Sequence, residues 1–194
     1  MKRIVLLISF LAVVALCANA QKIYIDFHEM HWIASPSPMP DNYPGEANLY
    51  WDNFLYVSPG VWSGAGPGFR VDPATQHNNV AFIGGPYCNL AAACGGSIKL
   101  EAMGMTPSHP GFQPISIVLS AGWLPNKVVV TAYRDADFVG TTEWNLTTTP
   151  KLFKFPPEWR EVTQVAFTPR FIPSSSIYPT AGSMVVYNLL LVKH

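Results

Sequence analysis

Short apolar runs that alternate with polar residues, and never lengthen into a helical repeat, set the strongest limit on what this chain can fold into. In Lys127–Arg134, the side chains of Val128, Val130 and Ala132 fall on one face of an extended strand, and Val129, Thr131 and Tyr133 fall on the other. Both faces are largely apolar, as in an interior strand of a packed sheet. Comparable runs occur at Ile23–His28, Leu49–Val57, Asn79–Ile83, Ser97–Ala102 and Ile115–Ala121. More follow at Phe138–Trp144, Lys151–Phe155, Thr163–Thr168 and Met184–Val192. Eighteen prolines and fourteen glycines punctuate them, and no stretch keeps a helical period for a full helix. Turn residues at Leu124-Pro125-Asn126 and Asp135-Ala136-Asp137 make residues 115–144 read as consecutive antiparallel strands. The sequence thus predicts an all-β chain folded as a two-sheet antiparallel sandwich of roughly eight to ten strands with little helix. Ile117, Leu119, Val128, Val130, Phe167, Val186 and Leu190 are its expected core.

The first twenty residues follow a different logic. Lys2 and Arg3 precede an unbroken apolar run, Ile4 to Cys17, which ends in Ala18-Asn19-Ala20 before Gln21. A basic head, a short greasy middle and small residues at the end are the features of a cleavable export signal. The run is too short for a membrane span, which needs roughly 20 apolar residues, and no later stretch is long and apolar enough to be one. Cys17 could suggest a lipid anchor, but Leu16 stands where such a signal resembles one needing a small residue. The expected organisation is a signal peptide over residues 1–20 and a single β-sandwich domain over 21–194, delivered to the extracellular space, or to the periplasm or cell surface of a bacterium.

Removal of the leader takes Lys2 and Arg3 from the twelve basic residues and leaves ten against twelve acidic ones. That slightly acidic balance argues against a nucleic-acid partner, which usually requires a basic face. Charged residues make up only 12% of the chain, about half the usual share, whereas aromatics reach 13%. Cysteine usage is equally plain. Only Cys88 and Cys94 remain after cleavage, with five residues between them, and in an oxidising compartment they are expected to bond to each other. A zinc site would need further ligands, and a redox pair would want a two-residue spacing.

Several segments from Tyr50 onward carry a resemblance. They are the aromatic run Tyr50-Trp51-Asp52-Asn53-Phe54, the strand Asn79-Val80-Ala81-Phe82, and the pair Ile115–Trp123 and Lys127–Arg134. Leu152–Phe155, Val165-Ala166-Phe167 and the closing Tyr187-Asn188-Leu189-Leu190 complete the pattern. Over most of the mature chain this layout resembles small secreted β-sandwich proteins of the galactose-binding-like, jelly-roll type, and is similar to non-catalytic carbohydrate-binding modules. The resemblance implies a jelly-roll-like topology and binding of a glycan or another surface polymer, although one such fold hosts many roles. Relatives commonly carry an acidic residue just before the final Asn-Leu. Tyr187 stands there instead, so the resemblance lends no support to an inherited metal site.

Motifs for chemistry are sparse. His28-Glu29-Met30-His31 has its histidines three apart rather than the four of a helical zinc motif, and it ends a strand-like run. Glu101 and Glu143 are strand-borne acids that a glycan hydrolase could use as a pair, while solvated outward-facing acids are the plainer reading. Asp135 and Asp137 straddle a turn, where aspartate is common for backbone reasons and calcium is the alternative. Gly60-Val61-Trp62-Ser63-Gly64 misplaces its serine for a nucleophile elbow. No phosphate-binding loop or dinucleotide fingerprint occurs, so no cofactor is expected. Asn145-Leu146-Thr147 is a sequon for N-glycosylation in a eukaryotic secretory pathway and inert in a bacterium.

Aromatic side chains are the better binding candidates, because flat rings stack on the apolar faces of sugars. Trp62, Trp32 and Trp159 lie in or beside Pro- and Gly-rich segments and are expected to be exposed. Trp51, Trp123 and Trp144 lie in or beside strands and are expected to pack inside. The reading that follows is a secreted, non-catalytic binding protein for carbohydrate or another extracellular polymer. An extracellular structural or protein-interaction domain with no small ligand comes second, and a glycan-active hydrolase third. Secreted material should have an intact mass that begins at Gln21, and a non-reducing peptide map should join Cys88 to Cys94 within one chain. A retained leader, or two free thiols, contradicts these expectations.

Overall fold

The structure is a computed structural model, and it describes residues 20–40, 42–45, 47–69, 79–84, 95–100, 111–170 and 182–193. The leader over residues 1–19, Cys88, Cys94 and Glu101 lie outside the described residues. Twelve strands and no helix occur among the described residues. No helix there is long and apolar enough to cross a membrane.

The strands are β1 (Gln21–Asp26), β2 (Ser37–Pro38), β3 (Leu49–Asp52), β4 (Leu55–Val57), β5 (Val80–Gly84) and β6 (Gly96–Leu100). They continue with β7 (Phe112–Ala121), β8 (Asn126–Arg134), β9 (Asp137–Leu146), β10 (Lys151–Lys154), β11 (Gln164–Arg170) and β12 (Ser183–Lys193). A seven-stranded sheet runs β10-β7-β12-β5-β4-β2, with β1 also paired to β12, and a five-stranded sheet runs β3-β6-β11-β8-β9. All the pairings are antiparallel. From β5 to β12 the chain passes repeatedly between the sheets, which makes the sandwich jelly-roll-like.

Alternation sets the core. On β8, Val128, Val130 and Ala132 are fully buried, and on β11 Val165 and Phe167 join them. Ile117 and Leu119 of β7 close the opposite layer. A chain of edge-to-face rings, Phe27–Trp51–Phe54–Phe167, crosses the interior at centroid separations of 5.4, 5.2 and 6.2 Å.

Three sequence expectations need correction. The run Leu49–Val57 is two strands, not one, and they belong to different sheets. Asn53 between them takes a φ of 61°, a left-handed conformation asparagine tolerates, and this breaks the strand so that the chain crosses over. Residues 115–144 are not three consecutive hairpin strands: β8 and β9 pair as expected, but β7 lies in the opposite sheet. Leu190 is half-buried on the outward side rather than in the core. Val186 pairs with Leu119 and Asn188 with Val118, so Tyr187 is an extra, bulged residue. The inward positions therefore switch from Met184 and Val186 to Leu189 and Leu191.

A second apolar cluster lies on the outer face of the seven-stranded sheet. Val80 and Phe82 of β5 alternate with Ala81 and Ile83, which face the main core. The segment 58–69 folds back over this outer face and seats Trp62 there. Trp62 stacks on Phe82 at 5.7 Å and 23°, and meets Phe69 and Trp123 edge-on at 5.1 and 5.9 Å. Gly64 makes room, since a Cβ there would come within 2.8 Å of the indole. With the ring only 8% exposed, replacing Trp62 by Ala should destabilise the protein by about 3–5 kcal/mol in a urea unfolding experiment. A stability change near zero would contradict this packing.

Candidate functional site

Of the three tryptophans the sequence marks as exposed, the structure exposes one. Trp32 is 59% exposed, whereas Trp62 is buried in the cluster just described and Trp159 is 1% exposed. Trp159 follows a turn in which its N–H donates to the Pro156 carbonyl at 3.1 Å. Its indole packs 6.0 Å from the Phe155 ring and lies over Gly140 of β9, where any Cβ would come within 2.8 Å of Nε1. The local Gly and Pro content suggests free loops at both positions. Long-range contacts decide otherwise, because an indole left in water forfeits the burial that a bare sheet face offers it. Trp51 and Trp144 are buried as expected, and Trp123 is half-buried against Trp62 and Phe69.

The other motifs resolve into local roles. Nδ1 of His28 meets the Asp26 carboxylate, and no group of three potential metal ligands occurs among the described residues. Asp135 has a φ of 55° in the β8–β9 turn, and its N–H donates to Thr163 Oγ1 at 2.6 Å. The Tyr187 hydroxyl donates to the Gly68 carbonyl, so this side chain fastens the Trp62 segment to the sheet. Asn145 is exposed on β9. Glu143 accepts from Lys127 Nζ at 2.8 Å, and this hydrogen bond, with the lysine charge, holds its carboxyl below the ordinary range. A glycosidase acid needs the opposite shift.

The outer face of the five-stranded sheet holds an arrangement that no contiguous stretch of sequence displays. Strand register places Tyr50 beside Lys99, Lys99 beside Gln164, Gln164 beside Tyr133, and Tyr133 beside Phe138. One row of side chains thus crosses all five strands, a span of roughly 19 Å at about 4.8 Å per strand step. Tyr50, Lys99, Gln164 and Tyr133 are half-buried and Phe138 is 63% exposed. Tyr133 and Phe138 meet edge-on at 6.4 Å. A bulge helps, because Ala132 pairs with Gly140 while Tyr133 pairs with Phe138, so Val139 is the extra residue. The next row holds Asp52, Ser97, Ala166, Thr131 and Thr141. Two of the lysines on this face have partners within it, since Lys99 lies 3.5 Å from Asp52 and Lys127 is bonded to Glu143, and Arg170 stands beside Lys127 on the same face. Such a surface offers flat rings at its ends, with an amide and hydroxyls between them.

Trp32 belongs to a separate surface, the segment after β1. Exposed His28, Glu29 and His31 precede it in sequence. At its base, Tyr43 donates from its hydroxyl to the Asp26 carbonyl at 2.8 Å and stacks on Phe27 at 5.9 Å.

No protein-family model matches the chain, and no curated protein matches it. Among solved structures, the chain is similar to a family two carbohydrate esterase from Cellvibrio japonicus at 9% identity and a TM-score of 0.40, covering 90% of this chain. It spans about a third of that esterase chain, 34%. It is also similar to the K1 cleaved adhesin domain of Lys-gingipain from Porphyromonas gingivalis, at 10% identity and a TM-score of 0.45, covering 90% of this chain and 98% of that one. A CBM4 structure is similar at 15% identity and a TM-score of 0.32, covering 79% and 92%. At these values the likenesses carry no argument about what this chain does.

Burial, then the negative charges of Asp26 and Glu29, push the Tyr43 hydroxyl up from 10.0 to about 12. The folded pKa exceeds the unfolded one, so this contribution to stability is complete below pH 10 and is lost as the pH rises towards 12. An alkaline absorbance titration should therefore show a late ionisation that a Tyr43→Phe variant lacks.

Proposed function

We propose that this chain is a secreted, non-catalytic protein that binds carbohydrate through the open face of its five-stranded sheet. The single observation that supports this reading is the cross-strand row Tyr50–Lys99–Gln164–Tyr133–Phe138. Aromatic rings present apolar area with little loss of side-chain freedom, and sugar rings have apolar faces that stack on them. Gln164 can donate and accept, which suits hydroxyl groups. The length of the row suits an oligosaccharide stretch better than a single sugar. Because Lys99 and Lys127 already have carboxylate partners, a neutral glycan fits this face better than a strongly anionic one. Export through a leader cleaved after Ala20 would place the domain where extracellular polymers are found.

The competing reading is an extracellular protein-interaction domain that uses the same face without a sugar. A glycan array, together with retention on insoluble cellulose, chitin and xylan, separates the two. The mature protein should be retained on at least one of these. Tyr133→Ala and Phe138→Ala should each weaken retention by about thirtyfold or more, since truncating an aromatic anchor costs about 2 kcal/mol or more. The melting temperature should change little, because both rings lie on the solvent side of the sheet. Failure of the wild type to bind any glycan in either assay removes the carbohydrate reading.

A further inference from the structure

Two buried polar side chains converge on the loop that carries Trp32. Ser58 follows β4 and Asn79 precedes β5, and each is only 1% exposed. Val57 pairs with Val80, so Ser58 and Asn79 form the next cross-strand couple, and the serine hydroxyl donates to Asn79 Oδ1. Neither side chain serves its own strand. Asn79 Nδ2 donates to the carbonyls of Phe27, Met30 and His31 at 3.3, 2.7 and 3.4 Å. Ser58 Oγ accepts from the Ile33 N–H at 2.9 Å, and the Ser58 N–H donates to the Ile33 carbonyl at 3.1 Å. The backbone is therefore fastened immediately before Trp32, at His31, and immediately after it, at Ile33. Buried polar groups demand partners, and here the loop supplies them.

We infer that the Trp32 loop is a second, preset carbohydrate contact, with Asn79 and Ser58 as the residues that position it and Trp32 as the ring that meets the sugar. This inference rests on the carbohydrate reading above. A large ring 59% exposed on a loop whose backbone is already ordered pays its ordering cost during folding, so little is left to lose on binding. Exposed His28, Glu29 and His31 precede the ring in the same segment and add hydrogen-bonding groups beside it in sequence.

The test pairs amide exchange in the ligand-free protein with retention on cellulose, chitin and xylan. In the wild type the Ile33 amide should be protected. Ser58→Ala should speed its exchange and weaken retention by about tenfold, while the melting temperature moves by only a few degrees. Ser58→Thr, which keeps the hydroxyl, should restore both properties. Trp32→Ala should weaken retention at least as much, with the Ile33 amide still protected. An unprotected Ile33 amide in the wild type, or unchanged exchange in Ser58→Ala, overturns the positioning role, and the wild-type measurement decides even if Ser58→Ala fails to fold. Equal retention of the wild type and Trp32→Ala overturns the second contact and leaves the open-face reading standing. No retention of the wild type overturns the carbohydrate reading, and the ligand role of Trp32 with it.

Discussion

The pairing of β12 is the constraint from which most of this architecture follows. That strand is bonded to β7 along its length, to β5 over Ser183–Val186, and to β1 over Asn188–Lys193. One flank thus accommodates two different partners in succession, and the changeover falls at Tyr187, the bulged residue. An extra residue reverses which side chains face inward, so Met184 and Val186 serve the core before it and Leu189 and Leu191 after it. The same bulge places a tyrosine hydroxyl on the outer face, where it reaches the Gly68 carbonyl; Ser120 Oγ reaches that carbonyl too, at 2.6 Å. Core register and the attachment of an outer loop are consequently set at a single position.

That attachment explains why the two sheets differ in what they offer to solvent. On the seven-stranded sheet, Trp62 and Phe69 cover Phe82, Val80 and Val185, and turn what would be an exposed apolar patch into a second core. On the five-stranded sheet the outward residues are mixed in character, among them Tyr133, Thr131, Gln164 and Lys99. Such a mixture is soluble without a cover and still rich in ring area. The proposed carbohydrate contact is assigned to this face because the described residues leave the aromatic row on it uncovered.

Buried polar groups play the complementary part. Ser58 and Asn79 spend their hydrogen bonds on a distant loop, so the order of residues 27–33 depends on residues met 25 to 52 positions later in the chain. Tyr43 adds a further tie from its hydroxyl to the Asp26 carbonyl. An exposed tryptophan held by such partners differs physically from one on an untethered loop, because its backbone entropy has already been lost.

The sequence by itself determined the all-β character, the position of ten strand runs and most of the core, because alternation and turn residues are local signals that survive without knowledge of partners. It also placed Trp51 and Trp144 inside correctly, since strand membership was enough to decide them. Tertiary structure alone decided the fate of Trp62 and Trp159, whose Gly- and Pro-rich neighbours suggest exposure while Phe82 and Gly140, far along the chain, bury them. It alone split Leu49–Val57 at Asn53 and turned Leu190 outward, through a left-handed residue and a bulge that no periodicity announces. The row from Tyr50 to Phe138 likewise exists only through register: its members lie on five strands, and a one-residue slip in any of them would turn its side chain into the core.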